Sequence, residues 1–352
     1  EPINDKDVHV DVYKVEVSGE EGKPAYRIVS VATTTDDPLH PTSTTVESYV
    51  TLAYSTISLL DAAITVRENG TIKGEVVGDV ICGGNLDILA GGKVDGNVLC
   101  AGKVQIFPGS WVTGDVRSGQ GCYNNGRVDG TIYPPDPEIE IPQVEDKYWP
   151  DADDFCQYYL DDVQGYDYLP GSINLAGIST SKGPLYREGN LDIYNSGGPA
   201  TLTLDGTIYV TGQLKIGTTN KEFTLDLNGQ TIFCEYLDPA HVHPAIDIAE
   251  KCTIKGPGCI IAVGDIAFGP NMATGGEDNY VILMSINGWT DLHPQGNFYG
   301  AVLGDVKMDV FPADGKVTYV APQPGDDLNF PIFNTAEIFT YNIYNYALSI
   351  QI

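Results

Sequence analysis

Short bursts of alternating apolar and polar residues run along most of this chain, and they return at a fixed interval. Val76-Val77-Gly78-Asp79-Val80 recurs as Val94-Asp95-Gly96-Asn97-Val98, as Val112-Thr113-Gly114-Asp115-Val116 and as Val128-Asp129-Gly130-Thr131-Ile132, in steps of 18, 18 and 16 residues. A second block interleaves with the first: glycine, a polar residue, an aliphatic, any residue, an apolar residue. It stands at Gly84–Ile88, Gly102–Ile106, Gly189–Ile193, Gly212–Ile216, Gly264–Phe268 and Gly304–Met308. Alternation of period two marks strands with one side chain inward and the next outward. A glycine before each strand permits a sharp corner through positive φ. A fixed period of this kind is the mark of stacked turns, each burying its apolar face only against its neighbours. The pattern predicts an all-β chain, a parallel β-helix (solenoid) with a small N-terminal β segment and one short helix. Val80, Val98 and Val116 are expected to form one inward column. The handedness of the coil does not follow from the pattern.

Four stretches are expected. Residues 1–66 form the N-terminal β segment. There Val8 to Val17 alternates like an amphipathic strand, Tyr26 to Val31 partners it across a turn, and a threonine-rich loop spans Thr33 to Thr45. An apolar stretch from Tyr49 to Val66 is either a strand pair or the entry to the repeats. Residues 67–134 hold the first β-helix turns. Residues 135–170 begin with a bridge in which Pro135, Pro137, Pro142 and Pro150 exclude central strands. The bridge leads to a helix over Ala152 to Gln164 with Asp151 as its N-cap, Phe155, Tyr158, Tyr159 and Val163 at helical spacing, and acids in its first turn. Residues 171–352 continue the β-helix and end in C-terminal strands. The last, Ile338 to Ile352, is either a final pairing strand or an edge offered to a partner.

Charge then narrows the function. Lys and Arg total 19 against 48 Asp and Glu, a net charge of -29. Such a field repels nucleic acid and anionic membranes, so neither is an expected partner. Cations, cationic partners or plain solubility remain. No apolar run reaches the roughly 18 residues that suggest a membrane span. The chain begins at Glu1 and reads as a processed or truncated product.

Seven cysteines, Cys82, Cys100, Cys122, Cys156, Cys234, Cys252 and Cys259, contain no CxxC pair. Their number, with 21 tyrosines and few lysines, suits an exported protein, and the expected location is extracellular or at the cell surface. Cys82 and Cys100 stand one repeat apart and are expected to stack, with proximity expected first and a bond second. Cys252 with Cys259 and Cys122 with Cys156 are the other disulfide candidates, and an odd total leaves one thiol over.

No catalytic residue, cofactor site or metal site is assigned. The acids at Gly-Asp corners, Asp79, Asp115, Asp265 and Asp305, read as turn residues that bond local backbone. Asp151, Asp153, Asp154, Asp161 and Asp162 are the densest acidic cluster, and calcium is the one ion their chemistry suits. His241-Val242-His243 with Asp238 resembles a metal trio on paper, but Pro239 and Pro244 bracket it as an exposed loop. Asp136, Glu138 and Glu140 read as solvated, and Asn69-Gly70-Thr71 matches a glycosylation acceptor.

The order of parts resembles the extracellular region of PilX-like type IV pilus-associated proteins. The matching pieces are Tyr26-Arg27-Ile28-Val29-Ser30, the repeats from Gly74 to Pro134, the proline-rich bridge and the later Gly-Asn-Leu-Asp-Ile block. The repeats also resemble those of bactofilins, which are cytoskeletal β-helix polymers. The hydrophobic N-terminal helix of the pilus-associated family is absent from this sequence, so pilus assembly is implied by similarity alone. The resemblance implies a structural or adhesive component of an extracellular filament. Its partners would be other filament subunits or itself, with a surface or carbohydrate as ligand. The rivals are a self-polymerising β-helix subunit and a carbohydrate-active β-helix enzyme.

Salt tests the acidic clusters. A rise in Tm with added calcium beyond that in sodium at equal ionic strength is expected only if a real cation site exists. Identical responses in a thermal melt assign the acids to solubility.

Overall fold

The computed structural model describes residues 6–15, 25–34, 42–54, 62–135, 151–165, 167–217, 221–249, 252–268, 273–274, 279–293, 297–304, 307–310, 316–321, 328–330 and 339–351. Strands dominate it, and most of them pair in parallel. The chain divides into two units: residues 1–56 with 334–352, and residues 57–333. That division cuts across the expected stretches 1–66 and 171–352.

The smaller unit is a four-stranded antiparallel sheet of Lys6–Val15, Ala25–Thr34, Thr42–Tyr54 and Phe339–Gln351, in that order. The expected N-terminal pair forms, with Val8 opposite Ala32 and Val12 opposite Ile28. The last strand pairs with Thr42–Tyr54, from Ser43 opposite Gln351 to Tyr54 opposite Phe339, with one register shift between Ser48 and Tyr49.

The larger unit is built from very short strands. Val80–Cys82 pairs in parallel with Val98–Cys100, and that with Val116–Ser118. Leu86–Ile88, Val104–Ile106 and Cys122–Asn124 form a second such series. Lys93–Asp95, Trp111–Val112 and Arg127–Val128 form a third. Val80, Val98 and Val116 share one register line and are buried, as the period predicted.

Residues 167–319 repeat the arrangement with longer and less regular intervals. Leu185–Arg187, Ile208–Val210, Thr231–Cys234, Gly258–Ala262 and Val281–Ser285 stack in parallel, each on the one before. A five-stranded sheet found only in this run carries Thr180–Lys182, Ala200–Leu204, Phe223–Asp226, Cys252–Lys255 and Ala273–Thr274.

The two runs meet in the opposite order to the sequence. Phe298–Gly304 pairs at one end with Lys316–Tyr319 and at the other with Ile64–Val66. Lys307–Val310 lies beside Asn69–Ile72, and Lys316–Tyr319 beside Glu75–Val77. Backbone bonds cross the joint from Val302 N to Ala63 O at 3.0 Å and from Arg67 N to Gly304 O at 2.9 Å. The stack thus runs from residue 167 to 319 and continues from residue 62 to 133, and every strand pair in it is parallel.

Gly258–Ala262 and Val281–Ser285 are buried at all five positions, so their sheet is covered on both faces. Continuous apolar runs are what a doubly covered parallel sheet demands. The outer cover includes the helix Ala152–Asp162, with Asp151 as its N-cap, as expected. Its Tyr159 ring stacks on Phe233 at 4.9 Å, and Phe155 packs beside it. Asn329 clips the helix to the sheet: its carbonyl accepts from Tyr159 Oη and Thr231 Oγ1, and its side-chain amide donates to Asp162 and Thr207. Among the described residues no helix is long and apolar enough to cross a membrane.

The expected positive φ is found at the corner glycines Gly78 (126°) and Gly189 (82°), while other corners use glycine for a second reason. Gly96 and Gly114 are not in the positive-φ region. A Cβ on Gly96 would lie 2.4 Å from Gly78 O, and one on Gly114 would lie 2.4 Å from Gly96 O. The stacked backbones approach too closely for any side chain. Gly96→Ala is therefore expected to cost about 1–3 kcal/mol, the usual range for overpacking. Gly171→Ala, where a Cβ meets nothing within 4 Å, is the neutral control. Urea-denaturation midpoints of the two variants check this.

Candidate functional site

The corners hold Asp79, Asp115, Asp265 and Asn69 of the polar groups that the sequence singles out. Asp79 Oδ1 accepts from Asn97 N at 2.7 Å, Asn97 Oδ1 from Asp115 N at 3.0 Å, and Asp115 Oδ1 from Thr131 N at 2.8 Å. A second ladder runs from Asn69 to Asn85 N at 2.9 Å and from Asn85 to Lys103 N at 3.0 Å. The later run repeats the device: Asn190 Oδ1 takes Gln213 N, and Asp265 Oδ1 takes Trp289 N. In each step a short side chain on one corner caps the peptide N–H of the next, which the turn leaves without a strand partner. Asp79, Asp115 and Asp265 are thus turn residues, as expected, and Asp305 lies outside the described residues. Asn69, in the glycosylation pattern, is exposed while its side-chain oxygen belongs to the ladder.

A parallel line of buried thiols and hydroxyls caps the corner carbonyls. Cys82 Sγ donates to Glu68 O at 3.2 Å, Cys100 Sγ to Gly84 O at 3.0 Å, and Ser118 Oγ to Gly102 O at 2.7 Å. Cys234 Sγ to Gly212 O and Ser285 Oγ to Gly264 O repeat the contact. Cysteine and serine alternate in the same role, so these positions need a small donor.

All seven cysteines are free thiols here. Cys100 stands directly opposite Cys82, as expected. The other two candidate pairs are placed in different surroundings. Cys252 packs in the interior with Phe223, whereas Cys259 belongs to the outer cluster under the helix. Cys122 is paired with Val104 near one end of the stack, and Cys156 lies on the helix near Tyr209. Burial pushes the Cys234 and Cys259 thiols up to about 12 and the Cys156 thiol up to about 11. Contact with Cys82, then burial, raises Cys100. Protonated thiols of this kind are poor nucleophiles.

The histidine loop folds into a brace. Eleven residues, 235–245, join Thr231–Cys234 to Ile246–Ile248, where the neighbouring connections 211–213, 263–265 and 286–288 take three. Asp238 accepts from the backbone N–H groups of Ala240, His243 and Val242, which hold its carboxyl below the usual range. His241 turns away from it: Nδ1 lies 2.7 Å from Asp265 Oδ1, and the ring stacks flat on Trp289 at 4.4 Å. The paper trio is therefore divided between two tasks. Sequence reasoning missed Trp289, which lies 48 residues away from His241 and has no local signal.

The acidic cluster is likewise shared out. Asp151 caps the helix, Asp161 accepts from Gln157 Nε2 at 2.7 Å, and Asp162 from Asn329 Nδ2 at 2.8 Å. Among the described residues no group of three or more His, Cys, Asp or Glu is placed to hold a metal ion. Asp136, Glu138 and Glu140 lie outside the described residues.

Asn97→Ala keeps the backbone N–H that Asp79 caps, but removes the acceptor for Asp115 N and the side-chain amide that donates to Asp79 Oδ1 at 3.2 Å. A loss of about 1 kcal/mol per hydrogen bond is expected, read as a lower urea midpoint with unchanged far-UV circular dichroism.

Comparison with protein-family models, with curated proteins and with solved structures found no match for this chain.

Proposed function

We propose that the larger unit is a parallel β-helix and that the protein is a structural or adhesive component of an extracellular filament, without catalysis. The β-helix reading rests on register. Positions 18 residues apart pair in parallel on three series of strands, from Val80 to Val98 to Val116, from Leu86 to Val104 to Cys122, and from Lys93 to Trp111.

One observation carries the function: the corner carboxylates and amides are spent on capping the next corner's backbone. A catalytic site needs acids and bases that converge on one point and are free to exchange protons. Groups consumed one per layer build a stiff rod instead. The eleven stacked strands of the sheet that carries Leu86–Ile88 span ten spacings of about 4.8 Å, a rod roughly 50 Å long. The acidic surface suits a protein that must stay soluble beside copies of itself.

End-to-end polymerisation of the stack meets an obstacle. Register places Asp167 at the end of the line Leu185, Ile208, Ile232, and Ile132 at its other end. Prolines 134 and 135 follow directly at the second end.

Gold-labelled antibody against the chain is expected to decorate surface filaments in electron micrographs of the source cells. Incubation with a panel of acidic and neutral polysaccharides is expected to release no new reducing ends. Cleavage that disappears in Asp265→Asn would overturn the reading in favour of an enzyme.

A further inference from the structure

We infer that two copies of this chain associate through the strand Phe339–Gln351, which adds antiparallel to its counterpart and joins two four-stranded sheets into one. The inference rests on the reading of the chain as an assembling component and names its partner as a second copy.

Among the described residues the strand order leaves two edges, Lys6–Val15 and Phe339–Gln351. They differ in kind. The first carries Lys6, Asp7, His9, Asp11 and Lys14, the charges with which sheets protect a free edge. The second runs for 13 residues, FTYNIYNYALSIQ, without a charge, a proline or a glycine. Successive peptide groups point to opposite sides of a strand, so half of its N–H and C=O groups face away from Thr42–Tyr54. The register shift at Ser48/Tyr49 passes over Asn345 and leaves two regular stretches, 339–344 and 346–351.

Charge selects the occupant. The chain carries -29, and two copies repel wherever acids meet acids. In a two-fold pair the strand faces itself, so each ionisable residue would sit near its own twin. This strand has none, and no register of the pair sets like charges opposite each other. Adding Lys6–Val15 of another copy instead would place its charges along an uncharged strand. It would also leave a bare neutral edge at the end of every assembly.

Sedimentation of the full chain tests the inference, with a dimer mass at high concentration expected. Asn342→Pro and Ile343→Pro remove adjacent N–H groups that point to opposite edges. One variant strikes the ladder to Thr42–Tyr54. The other strikes the free edge, and is expected to keep the parent's circular dichroism and Tm while sedimenting as a monomer. Hydrogen exchange on the parent gives an independent reading: consecutive amides of 339–351 are protected in the dimer, and only alternate ones in a monomer. A parent that stays monomeric at every concentration, or alternate protection alone, overturns the inference. So does dimer retained in both proline variants. Filament labelling is scored separately, so a monomer that still decorates filaments removes this contact and leaves the functional reading standing.

Discussion

Strands of two to five residues cannot hold themselves in place, and apart from the seven-residue Phe298–Gly304 every described strand of the larger unit is that short. Most of these strands offer only one or two inward side chains and a few peptide groups. Their burial and bonding depend on the layer above and the layer below. The close fit at Gly96 and Gly114, the Asp-Asn ladders and the thiol-hydroxyl line all keep successive layers at one spacing and one rotation. Where layers are held this tightly, a polar side chain at a corner is a structural part before it can be a reagent.

The same constraint explains the outer cover. Where strands lengthen to five residues, both faces become apolar, and the chain supplies a second layer from the helix and residues 328–330. Asn329 meets helix and sheet with both ends of its amide and its own backbone, and so adds a few directed contacts to the apolar one.

Much of this was legible before the fold was seen, wherever the signal was local. The 18-residue spacing placed Val80, Val98 and Val116 in register, and Asp151 marked the helix start, because both depend on neighbours near in sequence. The glycine spacing was right, and its expected cause, positive φ, holds at Gly78 and Gly189, but the close stacking at Gly96 and Gly114 appears in no single turn and needs the next layer. The partner of the last strand and the Trp289 beneath His241 were out of reach for the same reason. The site could be read only as corner residues. Which amide each corner caps depends on register, and register between the two runs has no period to reveal it.

The meeting of residue 302 with residue 64 has a consequence for how the protein is made. A ribosome delivers the layers from residue 62 onward first, yet the layer beneath them is synthesised more than two hundred residues later. Growth therefore cannot proceed as simple zippering from one end of the chain to the other. The early layers wait with one apolar face open, and the last layers arrive as a wedge closing the middle. Contacts this distant in sequence carry a loop-closure penalty before they return any stabilisation, which makes this joint the slow, late step of folding. A chaperone or an unfinished chain would meet the exposed underside of residues 64–77, and quality control of this protein amounts to whether that one seam has shut.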